Sequence, residues 1–448
     1  MKPNIILLVI DGLRSDQVYG NEKQTNTPNI DSLVKKGVFF KNAFSSTDGT
    51  NLTLNCIFNS LFPFKVDTCA KRIILKKNNI FEYLKKNNYA TYGLVPEIRN
   101  FRSIIELFEN EDNVYSYTNN TKSLNNGLTE QIISILESSH REKPGLFYFH
   151  LMDIHPDKDG KYLDEEDNLS QDELEDIGYL KKISSIDVNL GKIFSKIDFS
   201  QTLLVLCSDH GDRIPYGGIK NVDFEPELNK IKKIGGKILP KNLHNIGGKT
   251  LYKIRKISAE KKVKENEKKL TDYQSRSRES YFIQSLYDEI LHVPILFVGD
   301  KIKPNIISDL VTHVDIFPTV CEYIGINKKD ESDGRSLMPL MNNEGIDEIP
   351  IYLHTMPYQK PSPTDSVGIR TSKFKYFRSE VNSKKNIHLY DLEKDPFENH
   401  NIFAKNPELV SKFEDIITKF EEYEIKDMIS DKDEEELVKE ELKKLGYI

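Results

Sequence analysis

Three short runs in this chain are apolar, His150 apart, and end in acidic or imidazole side chains: Ile5–Ile10 before Asp11, Phe147–Met152 before Asp153 and His155, and Leu203–Cys207 before Ser208-Asp209-His210. A run without polar alternation reads as a strand covered on both faces, as in a parallel sheet flanked by helices. Ligand and catalytic groups of such sheets gather at the carboxyl ends of the strands. With the three strands as neighbours, Asp11, Asp153, His155, Asp209 and His210 converge on one edge. Crowded carboxylates and imidazoles repel or stay unsatisfied without a cation, so the pattern points to a metal site.

The rest of the chain repeats a strand, helix, strand rhythm. Thr27-Pro28 reads as a cap with proline at the first helical position, and Gly37 ends that helix before Val38-Phe39-Phe40. The rhythm recurs at Ile80–Leu84 with Ala90–Leu94, at Leu128–Ser138 with a strand from Leu146, at Asp187–Phe194 with Thr202–Cys207, and at Ile295–Gly299 with Ile316–Ile324. This predicts a doubly wound α/β fold on a mostly parallel sheet, with a smaller C-terminal α+β region. The expected divisions are a catalytic domain over 1–345, a Lys-rich insertion with glycine pairs over about 213–286, an antiparallel subdomain over 346–430, and a helix over 431–448. The basic insertion reads first as a solvated excursion, and second as a lid or docking surface for an anionic substrate.

A chain of 448 residues with 38% hydrophobic content suits a large globular core, and a net charge of -7 gives no reason to expect nucleic-acid binding. The first apolar run is too short for a membrane span and runs directly into Asp11, so no signal peptide or integral membrane segment is expected. Cys56, Cys69, Cys207 and Cys321 lack metal-ligand spacing and read as reduced thiols of a cytoplasmic protein.

From Pro3-Asn4-Ile5 through Asp11-Gly12, Thr27–Asp31, Gly37–Ala43, Ser208–Gly211, His292–Pro294, His313–Thr319, Asp333–Leu337, Leu389–Pro396 and Leu445–Ile448, the chain resembles the sulfatases of the alkaline phosphatase superfamily almost end to end. The resemblance implies an alkaline-phosphatase-like fold and a divalent metal. In that family the nucleophile is a Cys or Ser converted to formylglycine within a Cys/Ser-x-Pro-x-Arg signature, thirteen residues before the proline of a Thr-Gly-x-Tyr-Pro-like turn. Here the turn is Asn59–Pro63, which places Thr50 at the nucleophile position, Leu52 at the proline and Leu54 at the arginine. Threonine cannot become formylglycine. A shifted register would offer Ser45, Ser46 or Thr47 instead.

By position the resemblance assigns Asp11, Asp209 and His210 as metal ligands, joined by Thr50, with Zn²⁺ or Mn²⁺ favoured by the oxygen and nitrogen donors and Ca²⁺ as the alternative. Gly12 stands where the family usually has a second acid. His155 matches the histidine that contacts the ester or protonates the leaving group. Asp153 and His292 either complete a second metal site or serve as a cap and a core-edge histidine, and Lys249 is a further candidate for the ester. A threonine at this position resembles the superfamily's phosphodiesterases and phosphoethanolamine transferases. The expectation is therefore a metal-dependent hydrolase or transferase acting through Thr50 on a small phosphate ester, the alternatives being a sulfuric ester hydrolase and a catalytically weakened metal-binding scaffold.

Overall fold

The computed structural model describes residues 2–66, 72–117, 122–138, 143–154, 171–214, 270–277, 285–326, 332–357 and 363–420. Two compact units partition the chain: residues 1–155, 180–212 and 284–448 form one, and residues 156–179 and 213–283 the other. Most of the expected insertion, together with His155, Lys249, Cys69 and the expected C-terminal helix, lies outside the described residues.

The larger unit is built on an eight-stranded sheet. Its strands are β1 (Asn4–Ile10), β2 (Val38–Phe44), β3 (Ala90–Pro96), β4 (Val114–Tyr115), β5 (Gly145–Leu151), β6 (Thr202–Cys207), β7 (Ile295–Val298) and β8 (Asn305–Thr312), in the order β4-β3-β5-β1-β6-β7-β2-β8. All neighbours are parallel except β7, which runs against both β6 and β2. Every residue of β5 and β6 is buried, and all but the first of β1, so the unbroken apolar runs reflect cover on both faces. The register sets Val9 beside His150 on one side and Cys207 on the other, so β1, β5 and β6 reach the same edge together.

Around the sheet lie α1 (Pro28–Lys36), α2 (Thr50–Asn59), α3 (Ile80–Lys86), α4 (Arg102–Ile105), α5 (Thr129–Glu137) and, from Leu180 onward, α6 (Gln171–Phe194). Thr27 is the cap of α1 and Pro28 its first residue, as expected from the sequence, but the Thr27 side chain does not bond the open amides. The Thr27 hydroxyl donates to Asp31 Oδ1, and the open backbone amides of Asn29 and Ile30 are received by Asp187 on α6 at 3.0 and 2.8 Å. α2 is buried on all sides after Thr50: Leu52 is fully enclosed and Leu54 belongs to the main core with Ile57, Phe58 and Tyr148.

A second sheet of four antiparallel strands, β9 (Ile351–His354), β10 (Ser366–Arg370), β11 (Phe374–Ser379) and β12 (His388–Asp391), has the order β12-β11-β10-β9. Its core contains Tyr352, Ile369, Tyr376 and Phe413, and continues into Phe44, Phe62 and Leu291 of the larger sheet's surroundings.

Candidate active site

Asp11 follows β1, Asp209 and His210 follow β6, and Thr50 is the first residue of α2. Three segments distant in sequence thus supply one cluster of four side chains at the carboxyl edge of β1 and β6. Thr50 Oγ1 donates to Asp11 Oδ2 at 3.2 Å and lies 3.3 Å from His210 Nε2. One donor atom each from Asp11, Asp209 and His210 falls within 4.8 Å of the others. Among the hydroxyls of the alternative register, Ser45 bonds Thr47 O and Thr53, Ser46 lies 3.4 Å from Thr312 Oγ1, and Thr47 Oγ1 is buried with no hydrogen-bond partner among the described residues; none of these bonds is to Asp11, Asp209 or His210.

Backbone turns hold the cluster. Gly12 has φ +74°, a conformation that a side chain would strain, and its N–H meets Asp209 Oδ1 at 3.3 Å. His210 N–H donates to the same oxygen at 2.9 Å. The Ser208 hydroxyl accepts from Leu13 N–H and donates to His210 O, stitching the ends of β1 and β6. His313 donates Nε2–H to Ser208 O at 2.7 Å; burial holds its pKa down at about 4, so it stays neutral in that role.

The electrostatics favour a cation. Asp11 and Asp209 are fully buried, and Asp209 Oδ2 accepts no hydrogen bond from a described residue. Burial, then the neighbouring charge of Asp11, pushes the Asp209 carboxyl up. For His210, burial pushes the imidazolium down, but Asp209 and Asp11 outweigh it and hold the pKa at about 9. His210 Nδ1 lies 2.8 Å from Gly211 O, which makes Nδ1 the donor and turns Nε2 toward the acids. Two carboxylates and one oriented imidazole nitrogen are a donor set that fits a divalent cation.

Two residues unassigned in the sequence belong to this centre. His150, two positions after Tyr148 on β5, sits 3.3 Å from Asp11 Oδ2 through Nε2. The available signal was an imidazole inside an otherwise apolar strand. Asp48, two residues before Thr50, receives Met356 N–H at 2.7 Å and Ser285 N–H at 2.8 Å, pinning the loop that carries Thr50. Its partners lie so far along the chain that no local pattern exposes them.

Other candidates are placed elsewhere. Asp153 Oδ1 receives Leu124 N–H at 2.7 Å, which is capping of the turn before α5. His292 stacks on Phe44, and its Nε2 lies 2.8 Å from Lys41 O; it is a core-edge residue. Neither is part of the Asp11, Asp209 and His210 group.

The sulfatase family profile matches residues 3–326. This chain belongs to the sulfatase family. A second profile, described as N-sulphoglucosamine sulphohydrolase, C-terminal, matches residues 280–426. Arylsulfatase K of Rattus norvegicus is 31% identical over 136 residues, 29% of this chain and 24% of that protein. An N-acetylglucosamine-6-O-sulfatase of Bacteroides thetaiotaomicron is 30% identical over 162 residues, 34% of this chain and 28% of that protein. The matched stretches thus span only about a quarter of these curated relatives' length. Over the whole sulfatase fold the likeness is structural. BT4656, solved with its substrate D-glucosamine-2-N,6-O-disulfate, superposes with a TM-score of 0.64 at 15% identity, covering 95% of this chain and 99% of that one. A 2-O GAG sulfatase superposes with a TM-score of 0.61 at 15% identity, covering 96% and 94%. Members of the family generally bind a divalent metal ion.

Proposed function

We propose that this chain is a metal-dependent hydrolase of sulfuric esters, with Thr50 as the group that attacks the ester and Asp11, Asp209 and His210 as the cation's ligands. The expectation of a phosphate ester, drawn from the threonine, is revised, because the family and its named relatives are sulfatases. The observation that carries the reading is the Thr50 hydroxyl itself, in hydrogen-bond contact with Asp11 and His210 at the amino end of α2. A sugar sulfate is the substrate class this reading favours, by analogy with the relatives.

A divalent cation held there would lower the pKa of the Thr50 hydroxyl and offset the charge of the ester, with Zn²⁺ or Mn²⁺ suiting the imidazole donor. The residues supply the rest. Thr50 Oγ1 aims its proton at Asp11 Oδ2, the group placed to receive it as the hydroxyl attacks sulfur. The amino end of the α2 helix dipole adds partial positive charge beside an anion. Attack forms the Thr50 Oγ–S bond and breaks the bond from sulfur to the leaving alcohol, which takes a proton from the proposed donor His155. Threonine lacks the second hydroxyl of a formylglycine hydrate, so its sulfate ester is released by water at sulfur.

The test pairs a chromogenic sulfate ester with a phosphate monoester and diester, in the presence of Zn²⁺, Mn²⁺ or Ca²⁺. Sulfate turnover that disappears in Thr50→Ala and Asp209→Ala is expected, and quenched enzyme should carry one SO₃ mass increment on the Thr50 peptide. Sulfate turnover that survives Thr50→Ala sinks the assignment of the nucleophile. One observation favours a second reading: an unmodified threonine hydroxyl forms a phosphate ester that water or an acceptor alcohol cleaves readily. Preferential turnover of a phosphate ester would establish it.

A further inference from the structure

The buried pair Tyr148 and His150 stands directly behind Asp11. Both are fully buried on β5, two residues apart and therefore on the same face of the strand. An imidazole in such a place is costly unless both ring nitrogens are bonded. Here they are: Tyr148 OH lies 3.0 Å from Nδ1, and Nε2 lies 3.3 Å from Asp11 Oδ2. The Phe101 ring, edge-on at 4.8 Å between centroids, closes the side of the imidazole. Burial, and then the charge of Asp209, raises the Tyr148 phenol well above its ordinary range, so it keeps its proton and donates to Nδ1. Nε2 then carries the hydrogen and faces a carboxylate oxygen; the other tautomer would set a lone pair against it.

We propose that His150 is a positioning residue, held in one tautomer by Tyr148, that fixes the Asp11 carboxylate in the orientation required for cation binding. This rests on the reading of Asp11, Asp209 and His210 as the cation site. The Asp11 oxygen that takes the His150 hydrogen bond is the one that also receives the Thr50 hydroxyl. Fixing it leaves the carboxylate a single plane in which to meet the cation. Partners of this kind commonly set the affinity of a metal site by about 10–100-fold.

Calorimetric titration of the full chain with Mn²⁺ and with Zn²⁺, alongside melting temperatures measured in chelator, tests it. His150→Leu is expected to weaken cation binding by about 10–100-fold. His150→Gln, which retains an N–H toward Asp11, should recover most of that loss. Tyr148→Phe should shift affinity in the same direction by less, and it carries the test if His150→Leu does not fold. Unchanged affinity in His150→Leu or, failing that, in Tyr148→Phe overturns the proposal. Equal losses in the Leu and Gln variants, tracking a lower melting temperature in chelator, would reduce His150 to a packing role and overturn it too. Wild-type protein that binds neither cation removes the metal reading itself, an outcome distinct from wild-type binding with insensitive variants.

Discussion

At His210 two influences oppose each other: burial disfavours the imidazolium, and Asp209 with Asp11 holds it at about 9. A histidine whose pKa is raised on folding adds stability that is fully present below its ordinary value of 6.5 and is lost as pH climbs to about 9. Protein stripped with chelator should therefore melt at progressively lower temperature across that window. Saturating Mn²⁺ or Zn²⁺ should flatten the slope, because a ligating imidazole has already lost its proton. A slope unaffected by the cation would argue against His210 as a ligand. Asp11, Asp209, His210 and Thr50 were legible because each ends an apolar run or falls at a counted distance from a turn. His150 and Asp48 were not, since their meaning depends on strands and loops that only the fold brings alongside.

The element that decides where Thr50 sits is the loop between β2 and α2. Asp48 receives two backbone N–H groups, one from Ser285 and one from Met356 beyond β9. His354 N–H donates to Ser46 O at 2.9 Å, and a bridge joins Thr47 to His354, so the edge of the small sheet extends onto this loop. Gly49 packs against Met356 so closely that a Cβ there would lie 2.6 Å from the thioether sulfur. Asp48→Ala removes the acceptor of both amides and should cost about 1–3 kcal/mol in urea unfolding. It should also lower kcat while leaving KM near wild type, since Thr50 is displaced. A KM rise with constant kcat would place Asp48 in substrate binding instead. On the same scale, β8 escaped sequence reading because its run is interrupted by exposed Ser308 and Asp309, as befits the strand at the sheet edge.

Across the whole larger unit, the two sheets are tied by a buried charge network. Lys375 on β11 is fully enclosed and pairs with Asp288 at 2.7 Å and Glu398 at 2.6 Å, while Arg370 on β10 shares Asp288 and lies over the Phe44 ring at 3.4 Å. Burial raises Glu398, and the charge of Asp288 raises it further, to about 7; burial also disfavours charged Asp288, but Arg370 and Lys375 hold it down to about 2. Breaking such a group by removing one partner is costly, so Lys375→Met should destabilise by about 3–5 kcal/mol. The double variant Lys375→Met with Glu398→Gln should recover part of it. Equal stability of the single variant and wild type would show the network to be dispensable. The alternation of strands and helices made the parallel sheet legible, and short polar-flanked strands did the same for the small one. The clamp between them was hidden by its span, with Met356 lying 308 residues from Asp48. During synthesis this distance orders events in time. A nascent chain has Asp11, Thr50, Asp209 and His210 all synthesised long before residue 356, yet the loop that carries Thr50 gains its Met356 anchor only with that late arrival.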